Sequence, residues 1–362
     1  MIKSTNVSYL ISLLRFPMIV GVVFIHATIV SYAENLGLLL KDMPVFYIVN
    51  GVLGDGICKI CVPLFFFISG FLFFYRTVWD SKMYFRKLKR RLHSLLIPYL
   101  FFNLFGIIIF ACLQQLIPSM QSGAHIPIMD WSMTDFFNAF WRREGEGIPF
   151  VGPLWFIRNL MVVCLISPLI FYFVSKCKFW GIFLLGVLWF TGWKEFSIPC
   201  MQAVFFFSLG SYFSIHNNDF ICVCNKYIIC AVLLFIFSLI THLVVFQEKI
   251  LDAYVIRVLI VSGLVSVISF FNYLVLVHNV TPNKVLLSAT FFVFAIHEPY
   301  QDQFKKIIFQ LMPISDNHII VDLQFTFVYI LFTIIYIAVI VILFKILARY
   351  LPHFVTVICG GR

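Results

Sequence analysis

Between Ser8 and Tyr32 the chain reads SYLISLLRFPMIVGVVFIHATIVSY, an apolar run long enough to cross a bilayer. Two of its residues, Arg15 and His26, are groups that a bilayer rejects. The eleven helical steps between them come to only about 20° past three full turns, so both side chains share one face. Along the helix axis they stand about 16 Å apart. A permanent cation inside a membrane is expensive and faces a bundle interior or a wet cavity. A chain carrying this stripe needs further spans to house it.

The composition supplies them. Of 362 residues, 62% are hydrophobic and 12% charged, about half the charged share of a soluble domain. Only lipid or a large bundle core absorbs 45 Phe. Apolar runs of span length recur throughout, which predicts an all-α polytopic membrane protein, a bundle of about ten transmembrane helices. Alternating ten-residue strands are absent, which excludes an outer-membrane barrel. The net charge of +10 does not point to nucleic acid, because the cations collect at the ends of apolar runs, as orientation signals do. The first run is too long for a cleavable signal and lacks a small-residue cleavage pattern, so it reads as a retained span. The closest cysteine pairs, Cys58/Cys61 and Cys222/Cys224, lack a second ligand pair at a fitting distance. They read as small buried apolar residues, and no metal site is expected.

The second run, Val45–Tyr75, is too long for one straight span. Gly51, Gly54, Asp55 and Gly56 break it, so its first part reads as a half-helix or an outer cap. Its second part, VPLFFFISGFLFF (62–74), carries Ser69 and Gly70, and a glycine there predicts close helix approach. The densest charge cluster follows, with Arg76, Lys82, Arg86, Lys87, Lys89, Arg90 and Arg91 ahead of a third span near Ser94–Leu116. A loop over 119–151 holds Trp131, Trp141, Arg142, Arg143, Glu144 and Glu146, and reads as containing an interfacial helix. The fourth span begins GPLWFIRNLMV (152–162) and runs to about Ser175. Further spans are expected near Phe179–Trp193, Pro199–Ile215, Ile221–Phe246, Ala253–Val277, Val285–Leu311 and Leu323–Leu347. The excess of Lys and Arg on one side places both termini in the cytoplasm and the 119–151 loop outside. The expected organisation is a single transmembrane domain over 1–350, with a cytoplasmic basic elbow at 76–93 and a short cytoplasmic tail at 351–362. No internal repeat is visible, which weighs against an inverted-repeat transporter.

The polar residues inside the spans carry two readings each. Arg15 either snorkels to the cytoplasmic face or clamps a phosphate. His26 either bonds a neighbouring carbonyl or acts as a general base. The basic cluster is an orientation signal or a grip on the phosphates of a nucleotide-like donor; charge count alone favours the first. Trp155, Arg158 and Asn159 open the fourth span. His297, Glu298 and Asp302 stand in FFVFAIHEPYQDQF, with Glu298 and Asp302 on one face. Such acids orient a histidine, bind a substrate hydroxyl, or are merely wet.

Taken together these segments resemble the acyltransferase 3 family, integral-membrane enzymes that O-acylate sugars. The resemblance rests on the Arg15/His26 pair, VPLFFFISGFLFF, the basic stretch ending RRLHSLLIPYL, LWFIRNL, and FAIHEPY. These stand in the same order over roughly residues 8 to 350. It implies a ten-span enzyme of the inner membrane. The implied partners are acyl-CoA, typically acetyl-CoA, as donor substrate, with no tightly bound cofactor, and a hydroxyl of a surface polysaccharide or lipid-linked glycan as acceptor. Arg15 and His26 match the family's first-span pair, and Arg91 the first of two arginines in its basic motif. Ser94 stands where the family commonly has Arg, and Arg86, Lys87, Lys89, Arg90 or His93 are the candidates to substitute for it. The implied roles are His26 as catalytic base or acyl carrier, Glu298 as its orienter or an acceptor contact with Asp55 behind it, and Arg15, Arg86, Arg90 and Arg91 as donor-binding residues. Ser69, Trp155 and His297 are further pore or acceptor candidates. Two rival readings are a transporter or flippase of a lipid-linked or anionic glycan, with Arg15 and His26 lining its pathway, and a structural membrane subunit.

Overall fold

A computed structural model describes residues 4–116, 126–143, 147–193, 198–246, 248–298, 300–311, 314–315 and 317–361. Among them there are helices and no strands. In chain order these are α1 (Ser4–His26), α2 (Val30–Asn35), α3 (Pro44–Asn50), α4 (Cys61–Phe74), α5 (Ser81–Leu116), α6 (Met133–Trp141), α7 (Trp155–Leu165), α8 (Ser167–Thr191) and α9 (Met201–Ile215). There follow α10 (Phe220–Lys226), α11 (Ile228–Val245), α12 (Lys249–Val277), α13 (Lys284–Ile296), α14 (Tyr300–Leu311), α15 (His318–Phe327), α16 (Thr333–Tyr350) and α17 (Pro352–Ile358). Among the described residues, seven helical segments are long and apolar enough to cross a membrane, and α9, α13 and the stretch Gly152–Leu165 add shorter apolar helices. The chain is an all-α polytopic membrane protein. At its centre stands α1, packed against α4, α12, α13, α16 and the irregular stretch 51–60.

The long second run breaks where its glycines fall. A π-helical turn covers Gly51–Gly56 and a 3-10 turn Ile57–Ile60 between α3 and α4. Helix α11 lies against this break: a Cβ on Gly51 would stand 2.7 Å from Leu243, and one on Gly56 2.6 Å from Leu239. The buried Asp322 carboxylate of α15 accepts from the Val45 and Phe46 amides at 2.9 and 2.7 Å. That satisfies two of the orphan donors at the start of α3.

From Lys82 to Arg91 the basic cluster forms the first turns of α5, which runs unbroken for 36 residues from Ser81 into the span, while Arg76 stands ahead of it in the turn after α4, at a positive φ of 52°. Asp80 starts it by accepting from the Met83 amide at 2.6 Å. Lys, Arg, Leu and Met are all good helix formers, so nothing stops the helix before Pro98. That proline has no N–H for the Ser94 carbonyl four residues back. The backbone of Gly360, just past α17, lies directly over that carbonyl, at a positive φ of 71° where any Cβ would collide with it. The chain after 351 is therefore docked on α5, with Val355, Ile358 and Cys359 buried.

The fourth span is shorter than its composition suggests. Helix α7 ends at Leu165, and α8 restarts with Ser167 and Pro168. A sharp kink at Lys178, φ 47°, divides α8 where the sequence places a polar break. The expected break at 194–197 and the residues Glu144 and Glu146 lie outside the described residues. The expected ninth span divides too, with α13 ending at Ile296 and α14 starting at Tyr300.

Helices α4 and α9 approach backbone to backbone. A Cβ on Gly70 would run into the Phe207 carbonyl, and one on Gly210 into the Phe67 carbonyl. The Ser214 hydroxyl of α9 seals the contact by donating to the Phe71 carbonyl of α4 at 2.7 Å, and the Ser211 hydroxyl reaches the Gly70 carbonyl at 3.5 Å. Small residues and interhelical hydroxyl bonds drive helix association in lipid. Beyond the membrane-length helices, polar side chains fix the loop ahead of α7. The Ser132–Asp135 capping box starts α6. Tyr99 donates to the Phe140 carbonyl, and Asn103 accepts from the Val151 amide at 3.1 Å. Arg158, only 3% exposed, donates to the Trp141 and Gly147 carbonyls and stacks over the Trp141 ring.

Gly70→Ala should cost about 1–3 kcal/mol, the usual range for overpacking, read as a lower midpoint in thermal unfolding of the detergent-solubilised chain. Arg158→Met should release the loop, so that limited proteolysis of membranes cleaves within 142–147 while the helical core stays intact. An unchanged cleavage rate would show that the guanidinium does not hold the loop.

Candidate active site

Helix α1 stops at His26, and the chain resumes as α2 only at Val30. The stop leaves carbonyls without helical donors. The Lys305 ammonium of α14, 6% exposed, takes two of them, donating to the His26 and Thr28 carbonyls at 3.2 and 3.1 Å. A cation at a helix C-terminus also complements the helix dipole. The Phe24 carbonyl accepts from the Tyr329 hydroxyl at 3.3 Å. The end of α1 is thus fixed from two other elements.

Against it lies the break between α13 and α14. The His297 ring is fully buried and stands 5.3 Å from the His26 ring, centroid to centroid. Its Nδ1 lies 2.8 Å from the Phe294 carbonyl, and its own carbonyl accepts from the Tyr336 hydroxyl at 3.0 Å. A carbonyl only accepts, so Nδ1 carries the proton of the neutral ring and Nε2 presents a lone pair. The Glu298 carboxylate lies 3.6 Å from His26 Nδ1, both side chains partly exposed. Gly152, at the entry to α7, lets the chain close onto that carboxylate: a Cβ there would sit 2.8 Å from Glu298 Oε2. A carboxylate at Nδ1 orients the imidazole and stabilises its protonated form, which leaves Nε2 as the working nitrogen.

Nearer the start of α1 than His26, a cavity of about 390 Å³ opens beside the helix. Arg15, Ile19 and Val22 form its α1 wall, the stripe that continues one turn further to His26. Ser69 of α4, Arg91 and Leu95 of α5, and Phe294 of α13 line the other sides. The Phe294 ring in turn touches the His297 ring, at 6.2 Å between centroids. Both arginines are half-buried. The cavity holds two guanidinium groups and then apolar walls leading toward the histidines.

The structure brings together Arg15, Arg91 and Ser69 in the cavity, and His26, His297 and Glu298 in a second cluster outside its lining, one turn along α1 from Val22. Arg86 and Arg90 are exposed and do not line it. Lys87 caps α4, donating to the Phe73 carbonyl and, at 3.3 Å, to the Thr77 hydroxyl. Ser94 lies under Gly360 and off the cavity, so the arginine facing inward is Arg91. Trp155 packs on Phe66, its carbonyl accepting from Asn159 at 2.8 Å, while Asn159 accepts from the Cys200 amide at 2.7 Å. The LWFIRNL segment thus builds structure around the site. Asp55 pairs with Lys59 at 3.3 Å and accepts from Asn50 at 3.0 Å. The Asp302 side chain lies outside the described residues. Sequence reading missed Lys305, and also Gly152, whose GPLW context suggests nothing more than a turn.

The acyltransferase 3 family, described as an acyltransferase domain, matches residues 9–349. Among curated proteins the chain is similar to the succinoglycan biosynthesis protein ExoH of Rhizobium meliloti (strain 1021), 29% identical over 226 residues. That alignment covers 59% of this chain and 55% of ExoH, so the chain spans about half the length of the curated relative it matches. No solved structure matches it significantly. The match to the family runs through every element that builds the cavity and the histidine site, and the chain belongs to the acyltransferase 3 family.

Proposed function

We propose that the chain transfers an acyl group, acetyl or a related one, from acyl-CoA to a hydroxyl of a surface or lipid-linked polysaccharide. The observation that carries this reading is the stripe of α1 that lines a cavity with Arg15, opposite Arg91, and continues one turn past that lining to His26 beside Glu298. Two guanidinium groups on one cavity repel each other, and an anion between them relieves that cost. The phosphates of a CoA ester supply such an anion, and its pantetheine arm fits the apolar walls beyond. In this orientation the basic end of α5 faces the cytoplasm of an inner-membrane enzyme, both termini lie on that side, and the loop ahead of α7 lies outside.

The acceptor hydroxyl reaches His26 from the opposite end. His26 Nε2 takes its proton as the oxygen attacks the thioester carbonyl. The Glu298 carboxylate stabilises the imidazolium. When the tetrahedral adduct collapses, the C–S bond breaks, and the CoA thiolate leaves and recovers the proton from His26. The product is an oxygen ester and free CoA. ExoH, by its name, belongs to the biosynthesis of a polysaccharide, which supports a glycan acceptor here.

The test is transfer of labelled acyl groups from acyl-CoA to polysaccharide by the full chain in proteoliposomes. His26→Ala should lower the rate by about 10²-fold or more, the usual share of a general base. Near wild-type transfer by that variant would overturn the mechanism. Gly152→Ala places a methyl where the Glu298 carboxylate rests, at the far end of a movable side chain. It should keep the fold and lower kcat about tenfold, a loss of about 1.4 kcal/mol of transition-state stabilisation, with little change in the KM for acyl-CoA.

A further inference from the structure

Neither the cavity beside α1 nor the histidine cluster uses Arg257, a cation about 12 Å into the membrane-length helix α12. Its guanidinium reaches the end of α8. A Cβ on Gly192, the residue after that helix, would stand 2.8 Å from one of its nitrogens. The guanidinium also lies over the Tyr254 ring at 5.2 Å, and that ring meets Phe190 of α8 at 5.5 Å. The chain leaves α8 through Gly192 and Trp193, and tryptophan is enriched where hydrocarbon meets headgroups. A guanidinium at this height has snorkelled to the headgroup layer. Among the described residues no carboxylate pairs with it.

A groove of about 390 Å³ opens beside this cation, between α8, α11 and α12. Phe190, Leu234, Val258, Val261 and Val265 give it apolar walls, and Arg257 is the one charged side chain on its lining. From Arg257 to Val265 it follows α12 for about 12 Å. Phe190, Leu234 and Val261 are exposed, and on helices of membrane length such a face meets lipid. The dipole of α8 gives a cation at its C-terminus one reason to be there. It gives none for an apolar trough that runs away from that cation. A cation at headgroup height above a trough of hydrocarbon is complementary to a lipid with a phosphate at one end and an acyl chain at the other. A zwitterionic headgroup also brings an ammonium, for which the lining offers no carboxylate. An anionic headgroup brings only the charge that Arg257 lacks.

We propose that this groove is a site for one anionic phospholipid, whose phosphate pairs with Arg257 and whose acyl chain lies along α11 and α12. The forked N–H groups of a guanidinium take two phosphate oxygens at once. The bound lipid ties the end of α8 to the α11–α12 pair from outside. The site stands apart from the acyltransferase reading and does not depend on it.

The experiment uses the full chain in phosphatidylcholine vesicles. A trace of phosphatidylglycerol with a diazirine on its acyl chain is added, or phosphatidylcholine with the same chain, and labelled peptides are mapped by mass spectrometry after irradiation. The phosphatidylglycerol probe should label 227–234 and 258–265 about tenfold more than the phosphatidylcholine probe, as a charge-assisted hydrogen bond predicts. The exposed face of α16 should show no such preference. Arg257→Gln should bring the two probes level in the groove, and Arg257→Lys, which keeps the charge but loses the fork, should fall between. If the glutamine variant does not fold, competition in the wild type decides: unlabelled phosphatidylglycerol should displace the probe and inorganic phosphate should not. Equal labelling of the groove by both probes overturns the proposal, as does an undiminished preference in Arg257→Gln. Displacement by inorganic phosphate overturns it in favour of a free-anion site. Labelling by neither probe overturns it too, and is the result expected if a second copy of the chain covers the groove.

Discussion

The charge on Arg15 governs the design. A guanidinium on a membrane helix costs about 3 kcal/mol or more when it faces lipid, so the bundle must wrap α1 and leave room beside that side chain. The cavity between α1, α4, α5 and α13 is that room. Placing Arg91 on the same cavity adds like-charge repulsion to the burial cost, and stability alone gives no reason for it. Occupancy by an anion does, which ties the packing of the bundle to its chemistry.

The distance between anion and imidazole is then a property of one helix. Arg15, Ile19, Val22 and His26 are successive steps along α1, and a helix transmits position at 1.5 Å per residue with little give. What remains to be fixed is where the helix ends and how its last ring is turned. Lys305 does the first by taking two terminal carbonyls. Glu298 does the second, and Gly152 lets the loop close behind it. The elements that hold His26 come from three remote stretches of chain, so the site assembles only when the whole bundle does.

That division explains how much was legible beforehand. Arg15 and His26 were readable because their spacing is local and their cost in lipid is intrinsic. The close approach at Gly70 was readable for a similar reason, a small residue inside a Phe-rich span, although its partner Gly210 was not. Where polarity was the guide, boundaries slipped. The basic cluster reads as a loop by charge, yet its residues are strong helix formers and α5 runs straight through them. Arg158 and Asn159 look like site residues by polarity, but their hydrogen bonds go to loop backbone. Lys305 and Gly152 matter through contacts with groups far away in the chain, and no periodicity within α14 or before α7 signals them.

The turn at Gly360 has one more consequence. It lies over the Ser94 carbonyl, the one place in α5 where a proline has removed the internal brace. A rod with one missing brace pivots there. Filling that notch with the far end of the chain stiffens the joint between the membrane half of α5 and the half that carries the cations. The arginine facing the cavity stands one turn before the joint. The last residues of the fold therefore act as a wedge, and the aim of Arg91 into the cavity depends on how tightly that wedge is seated.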